Sequence, residues 1–257
     1  MLRTHSGRQA LIRLATAVAL ASLLAAALAT ALSTSQAAAA SAVGATVTVR
    51  VEGSTSTLVL ATNVTLSDHK VVKNGVAADS CAGRSAAGAL ELATHGAWDA
   101  TWSASYHAYF LESIHGLAFP SGGAEYWAFW VNDSPASEGI CAYDPKPGDS
   151  LLFFPDCYGK GCPKSVGVLG VKAPSVAVLG SPFSVSVTAY SDAKGTPSKA
   201  IGATVSGGGA QAKTAASGTA ELSFTHAGHF TLQVRAPHAI RTETSVCVET
   251  AASKMCG

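Results

Sequence analysis

An export signal followed by six cysteines is the feature that most limits how this chain can fold. Three arginines precede an apolar run from Leu14 to Leu32, and a stretch of small residues, Ala37 to Ser41, follows it. This order is typical of a secretory signal peptide, so we predict that residues 1–40 are removed by cleavage near Ala40. The alternative is a retained membrane anchor, because the apolar run is about long enough to span a bilayer. Both interpretations place the rest of the chain outside the cytoplasm.

All six cysteines lie beyond this segment, and their even number predicts disulfide bonds in an oxidising compartment. Six cysteines can pair in many ways. Proximity in the sequence favours Cys157 with Cys162 and Cys247 with Cys256, which leaves Cys81 for Cys141. A zinc site that uses Cys157 and Cys162 is the rival interpretation, but no second CxxC-type half accompanies them.

The charge balance argues against a nucleic-acid partner. Residues 1–40 carry three arginines and no acidic residue, so without them 14 of the 17 Lys and Arg residues remain against 16 acidic ones, a net charge of −2. Proteins that bind nucleic acid usually present a basic surface. We therefore expect no nucleic acid as partner, and a membrane only if the signal segment is retained.

Composition divides the exported part in two, with a boundary near Gly159 to Ser165. Residues 45–162 hold all four tryptophans, whereas residues 166–249 are rich in Gly, Ala, Ser, Thr and Val, and residues 250–257 form a short tail. Within the second part, Phe183 to Ala189 and Phe230 to Val234 alternate apolar and polar side chains, as half-buried strands do. Glycine turns separate these runs, a pattern typical of a β-sandwich. The second part resembles a bacterial immunoglobulin-like domain.

The first part reads as an α+β domain. Ala45 to Val51 and Thr57 to Leu66 have strand patterns, and Ser85 to Thr94 has a helix pattern with a serine cap and a His95-Gly96 terminator. Strand patterns return at Tyr106 to Ile114, Glu125 to Val131 and Ser150 to Phe154. We expect an all-β second domain after an α+β first domain, in which a sheet packs its apolar face on the helix.

One stretch of the first part carries a family resemblance. Tyr126-Trp-Ala-Phe-Trp-Val-Asn132, then Glu138-Gly-Ile-Cys141, then Pro147-Gly-Asp-Ser-Leu151 resemble the domain at the C-terminus of transcobalamin and intrinsic factor, which bacteria also export as a domain family of unknown function. The resemblance spans roughly residues 45–157. It implies a β-grasp-like fold with one helix across a mixed sheet, and a domain that can cover one side of a corrinoid.

The same stretch supplies the candidate ligand-binding residues, which are Trp127, Trp130, Tyr126 and Trp102. Exposed aromatic rings can stack on a flat ligand or on a sugar. In one regular strand Trp127 and Trp130 must point to opposite faces. We therefore expect one of them to pack under the helix and the other to lie exposed on the outer face.

No catalytic motif accompanies these residues. The sequence has no Gly-x-Ser-x-Gly, HExxH or EF-hand pattern. Glu112 and Glu125 could act as an acid pair only if they faced each other across a cleft, and no sequence pattern places them so. His226 and His229 have a metal-like spacing but no third ligand nearby. We therefore expect no enzyme, no cofactor and no metal. The predicted function is a secreted or cell-surface adhesion protein with an immunoglobulin-like stalk and an unidentified surface or matrix partner. The alternative is a binding protein for a small ligand, either a corrinoid or a carbohydrate.

Overall fold

The computed structural model describes residues 44–119, 122–160, 162, 167–190, 194–252 and 255–256. The predicted signal peptide and most of the predicted boundary between the two parts lie outside these residues. We call residues 44–162 the N-terminal region and residues 167–256 the C-terminal region. Among the described residues, no helix has the length and apolarity needed to cross a membrane.

The N-terminal region consists of two sheets and one described helix. Its elements are β1 (Thr46–Glu52), β2 (Thr57–Thr65), α1 (Ala86–Thr94), β3 (Trp98–Ser103), β4 (Ala108–Ile114), β5 (Leu117–Ala118), β6 (Glu125–Val131), β7 (Ser134–Pro135) and β8 (Ser150–Cys157). The larger sheet has the order β2-β1-β8-β6-β7, and β3, β4 and β5 form the smaller one. Strands β1 and β8 run parallel while their other neighbours are antiparallel, so the sheet is mixed.

Helix α1 forms where its sequence predicts it, but the predicted serine cap was wrong, because the Ser85 hydroxyl donates to the carbonyl of Ala82 instead. His95 ends the helix in the left-handed conformation with φ of 52°, and Gly96 follows it. Leu90 is fully buried in the same cluster as the valines of β1. A glycine is required at position 88, because a Cβ there would lie 1.9 Å from the carbonyl oxygen of Gly83. The helix therefore packs closely against the loop that precedes it, and its buried side chains cover one face of the larger sheet.

Strand β8 explains why the larger sheet is apolar on both faces. Leu151 and Phe153 pack in the cluster that contains α1, whereas Leu152 and Phe154 pack in a second cluster with Val168 of the C-terminal region. A continuous apolar run is typical of a strand that is covered on both sides. The outer face of this sheet is therefore not free for a ligand.

The hairpin of β3 and β4 is not in the sequence-based prediction. Strand β4 begins at Ala108, and Tyr106 and His107 lie in the turn that joins it to β3, so the predicted strand from Tyr106 was wrong at its start. His107 has φ of 48° in this turn. A turn that contains a non-glycine residue with positive φ cannot be predicted from residue types alone.

The C-terminal region is all β. Its strands are β9 (Gly167–Lys172), β10 (Val176–Val178), β11 (Phe183–Tyr190), β12 (Pro197–Lys199), β13 (Thr204–Gly207), β14 (Ala210–Lys213), β15 (Thr219–Leu222), β16 (Gly228–Arg235), β17 (Ala239–Ile240) and β18 (Thr242–Glu249). One sheet has the order β10-β18-β16-β13-β14, and the other has β12-β11-β9-β17 with β15 paired to β11. The alternating side chains of both sheets fill one apolar cluster, which includes Val185, Val205 and Leu232.

A buried ion cluster joins the two regions. Glu52 has no exposed surface, and its carboxylate lies 3.3 Å from Arg50 Nη1 and 3.5 Å from Arg241 Nη1. Arg50 also donates to the carbonyl of Arg241, and Arg241 donates to the carbonyl of Gly53. Burial raises the pKa of Glu52 above its usual value, because lost hydration outweighs the attraction of the two arginines. Burial likewise lowers the pKa of Arg50.

Three disulfide bonds are present, and they are the pairs that sequence proximity favoured. Cys81 binds Cys141, Cys157 binds Cys162, and Cys247 binds Cys256. The first bond closes a segment of 60 residues, whereas the others close segments of 5 and 9. It therefore places the greatest restriction on the unfolded chain.

Candidate ligand-binding groove

An apolar groove of about 460 Å³ lies between strand β4 and strand β6 of the N-terminal region. Trp127, Phe129 and Ile140 line it together with Tyr106 and Phe110, and among the described residues Glu138 is the only charged one that lines it. The volume and the apolar lining are those of pockets that bind small molecules or inserted side chains. We call this feature the β4–β6 groove.

Tyr109 holds strand β4 in place beside the groove. Its hydroxyl accepts from the amide of Lys73 at 2.9 Å and donates to the carbonyl of Asp79, and its amide donates to Cys141 Sγ at 3.3 Å. Its ring lies 4.9 Å from that of Trp102 in an edge arrangement. The sulfur that accepts from Tyr109 belongs to the disulfide between Cys81 and Cys141, so this wall of the groove is built from segments far apart in the sequence.

The rim of the groove presents two exposed aromatic rings. Tyr106 is 73% exposed and Phe110 is 49% exposed, and their centroids are 5.7 Å apart with the rings edge to face. Large exposed rings gathered beside an apolar groove are typical of a binding surface rather than of the ordinary surface of a monomer. Neither residue is among the sequence-based candidates, because the hairpin that brings them to the groove was not predicted.

Trp127 is buried in the groove with an unused hydrogen-bond donor. The side chain is 7% exposed, and its ring contacts Phe119 edge to face with centroids 5.5 Å apart. Its Nε1 is buried and has no acceptor among the described residues. Buried donors normally find a partner, so Trp127 Nε1 is an exception to the usual pattern.

Replacing Trp127 by phenylalanine tests, through the free energy of unfolding, whether Trp127 Nε1 lacks a hydrogen-bond acceptor. We expect Trp127→Phe to cost about 1–3 kcal/mol less than Trp98→Phe, because only Trp98 loses a satisfied hydrogen bond, to Glu91 Oε2 at 2.6 Å. Denaturant unfolding of both variants measures the difference. Equal losses would mean that Trp127 Nε1 is satisfied in solution.

The structure separates the four predicted ligand-binding residues. Trp127 lines the groove, and Trp102 is half-buried against Tyr109. Trp130 is 8% exposed and packs with Phe154 where the two regions meet. Tyr126 is exposed at 39%, donates to Asp156 Oδ2 at 3.0 Å and lies beside Tyr158. Burial and then Asp156 raise the pKa of Tyr126 to about 12.

The expectation that one of the two strand tryptophans is exposed was wrong. Trp127 and Trp130 do pack in different clusters on opposite faces of β6, as strand geometry predicts. However, both are buried, because the C-terminal region covers the outer face of the sheet. Trp130 therefore contributes to the packing between the regions.

A larger cavity of about 610 Å³ lies where the two regions meet, and it suits a ligand less well than the groove does. Its lining mixes both signs of charge, with Asp156, Lys160 and Arg241 among the residues. Two of these are already engaged: Arg241 with Glu52, and Asp156 with Tyr126. In the described part of the chain, no three His, Cys, Asp or Glu side chains form a group that could hold a metal ion. Glu112 accepts a hydrogen bond from Thr101 on the neighbouring strand.

Comparisons with curated proteins and with solved structures give little. No curated protein matches. Among solved structures, a complex of Porphyromonas gingivalis RgpB pro- and mature domains is 20% identical with a TM-score of 0.25, covering 32% of this chain and 19% of its own. The Arg specific cysteine proteinase gingipain R (RGPB) is 17% identical with a TM-score of 0.26, covering 40% of this chain and 23% of its own.

The chain thus spans about a fifth of the length of these two structures. The likeness is too slight to carry an argument about fold or activity. A second finding concerns the part of the chain that contains β3, β4, β6 and most of β8. Residues 93–154, and with them the β4–β6 groove, match the family model described as Domain of unknown function (DUF4430).

Proposed function

We propose that this protein is a secreted, non-enzymatic binding protein that receives an apolar group of its partner in the β4–β6 groove. The exposed pair Tyr106 and Phe110 beside a buried apolar floor is the observation that carries the proposal. Three disulfides support a location outside the cytoplasm. The proposal needs no cofactor, metal or nucleic acid.

The arrangement of the chain supports an adhesive form of this function. In this proposal the N-terminal region is a β-grasp-like head, and the C-terminal region is an immunoglobulin-like sandwich that acts as a stalk. The mixed sheet under α1 and the two facing sheets of the C-terminal region support these two assignments. The partner would be a surface or matrix component, and the protein would be attached to the cell only if its signal segment is retained.

A small ligand is the second candidate, and the volume of the groove favours it. About 460 Å³ lies within the range of pockets that bind small molecules. The alternatives from the sequence are a corrinoid and a carbohydrate. A carbohydrate needs several polar groups to bind its hydroxyls, and the mainly apolar lining supplies few of them. Titration with cobalamin and with oligosaccharides separates both from an apolar group carried by a protein.

A neutral apolar dye, N-phenyl-1-naphthylamine, tests the groove directly. We expect the dye to bind, and Phe110→Ala to weaken binding about tenfold, because an aromatic ring contact adds about 0.5–1.5 kcal/mol to apolar burial. The stability of this variant should stay within about 0.5 kcal/mol, since Phe110 is exposed.

The matched control is Tyr158→Ala, which removes a ring that is 62% exposed and does not line the groove. Fluorescence titration of the three proteins gives the affinities, and urea unfolding gives the stabilities. No dye binding, or an equal loss in Tyr158→Ala and Phe110→Ala, would contradict the proposed function.

A further inference from the structure

The β4–β6 groove carries a negative charge that has no positive partner in the described part of the chain. Glu138 lines the groove and is exposed, and no described Lys, Arg or His side chain lines it. Glu138 also forms no salt bridge with any described residue. Burial, Asp149 and Glu138 together raise the pKa of Tyr143 to about 12, and the ring of Tyr143 lies 5.7 Å from that of Phe129. The carboxylate of Glu138 therefore acts beside the aromatic floor of the groove.

Aromatic rings form much of the same surface. Five of the lining residues carry one: Tyr106, Tyr109, Phe110, Trp127 and Phe129. At the exposed rim, the ring planes of Tyr106 and Phe110 are 79° apart. The face of an aromatic ring carries partial negative charge, which attracts a cation placed over it. The rings and the carboxylate of Glu138 thus both favour a ligand with a positive charge.

The groove suits an organic cation better than a metal ion. A metal ion takes several protein ligands at once, and no three described His, Cys, Asp or Glu side chains form a group that could hold one. The volume of about 460 Å³ and the mainly apolar lining are instead those of a pocket for a small organic molecule. A charged group on an apolar body complements this arrangement.

The backbone beside the groove favours a small ligand over an extended polypeptide. The amide of Tyr109 donates to Cys141 Sγ, and the carbonyl of Glu112 accepts from the amide of Phe119. A polypeptide that adds to a sheet needs such groups to be free. Recognition in the groove therefore depends on side chains, which a small molecule can contact on its own.

We propose that the ligand of the β4–β6 groove is a small organic cation, in which an ammonium group is attached to an apolar body. The ammonium lies at the rim, near Glu138 and over the rings of Tyr106 and Phe110, and the apolar body packs on Trp127 and Ile140. This inference rests on the small-ligand form of the proposed function and gives the chemical class of that ligand.

Three phenols of similar shape test the charge. The probes are para-hydroxyphenyltrimethylammonium, which is a cation, para-tert-butylphenol, in which carbon replaces the nitrogen, and the anion para-hydroxybenzenesulfonate. We expect the cation to bind about five- to tenfold more tightly than the neutral phenol, because the ring faces and the carboxylate both attract it. The anion should bind more weakly than either. Calorimetric titration, in a buffer that keeps the phenols protonated, measures the three affinities.

Variants of the groove provide the specific readout. Glu138→Gln should weaken binding of the cation about two- to fivefold, the range for an exposed ion pair, and leave the neutral phenol unchanged. Phe110→Leu keeps an apolar side chain but removes the ring face, so it should also reduce the preference for the cation. The matched control Glu125→Gln removes an exposed carboxylate outside the groove and should leave the preference unchanged.

Two results would overturn the inference. One is binding of the neutral phenol to the unchanged protein as tightly as the cation or more so. The other is a preference for the cation that neither Glu138→Gln nor Phe110→Leu reduces.

Displacement of the apolar dye separates this inference from the proposed function. If the dye binds and responds to Phe110→Ala, but the neutral phenol displaces it as well as the cation does, the inference fails and the binding groove stands. If neither the dye nor any of the three phenols binds, both fail. Displacement by the cation at lower concentration than by the neutral phenol supports both.

Discussion

Replacing Glu52 by alanine is expected to lower the free energy of unfolding by about 3–5 kcal/mol at neutral pH. Glu52 is fully buried and accepts from Thr57 as well as pairing with Arg50 and Arg241. Without it, two guanidinium groups remain in the junction between the regions with no carboxylate in salt-bridge contact among the described residues. Removal of one partner from a buried ion pair is costly because it leaves an uncompensated charge.

Urea unfolding of the Glu52→Ala variant measures this cost. Glu221→Ala is the matched control, since Glu221 is exposed and should change stability by no more than about 0.5 kcal/mol. A loss in Glu52→Ala that is as small as in the control would show that the two arginines reach water or another acceptor.

The pH dependence of the same variant follows from the raised pKa of Glu52. A raised folded-state pKa means that the folded protein holds the proton more tightly than the unfolded chain. The resulting stability is complete below about pH 4 and is lost as the pH rises through the raised pKa. The cost of Glu52→Ala should therefore grow as the pH is lowered from 7 to about 4. A cost that shrinks on acidification would show that attraction by the arginines outweighs burial.

Removal of the disulfide between Cys81 and Cys141 is expected to cost about 4 kcal/mol. It closes a segment of 60 residues, and the loss of this restriction gives the unfolded chain more freedom. The double variant Cys81→Ala with Cys141→Ala also removes the sulfur that accepts from the amide of Tyr109. We therefore expect it to weaken dye binding in the groove as well.

The control is the double variant Cys157→Ala with Cys162→Ala, which opens a segment of only 5 residues. On the chain-entropy account it should cost about 2 kcal/mol, and it does not touch the groove. Unfolding in urea without reductant measures both. Equal losses of stability in the two double variants would contradict this account of the long disulfide.

Local sequence patterns were sufficient to predict the elements that bury a single apolar face. The alternating valines of β1 and the helix formers of α1 predict their own structure, because strand and helix periods place those apolar residues on one face. The hairpin of β3 and β4 was missed for a physical reason. Trp98–Ser103 does alternate apolar and polar residues, so a strand pattern was present there. The following turn, however, contains a histidine with positive φ in place of glycine, so the residue types do not mark the hairpin.

The β4–β6 groove could not be predicted from the sequence, because it depends on where the hairpin of β3 and β4 lies. Tyr106 and Phe110 join Trp127 only when the hairpin lies beside β6, and no spacing in the sequence specifies that contact. One signal was present in the sequence. The uninterrupted apolar run Leu151 to Phe154 is typical of a strand covered on both faces, and it indicates that the outer face of the sheet is not exposed.

The sequence by itself determined the periodicity of the strands, the opposite directions of Trp127 and Trp130 and the favoured disulfide pairs, because each depends on neighbours along the chain. Only the tertiary structure decided that Trp130 is buried and that Glu52 meets Arg241. The arginine donates to Gly53 across 188 residues of sequence. Burial of a face depends on which distant segment covers it, and that segment is positioned by the packing of the whole chain.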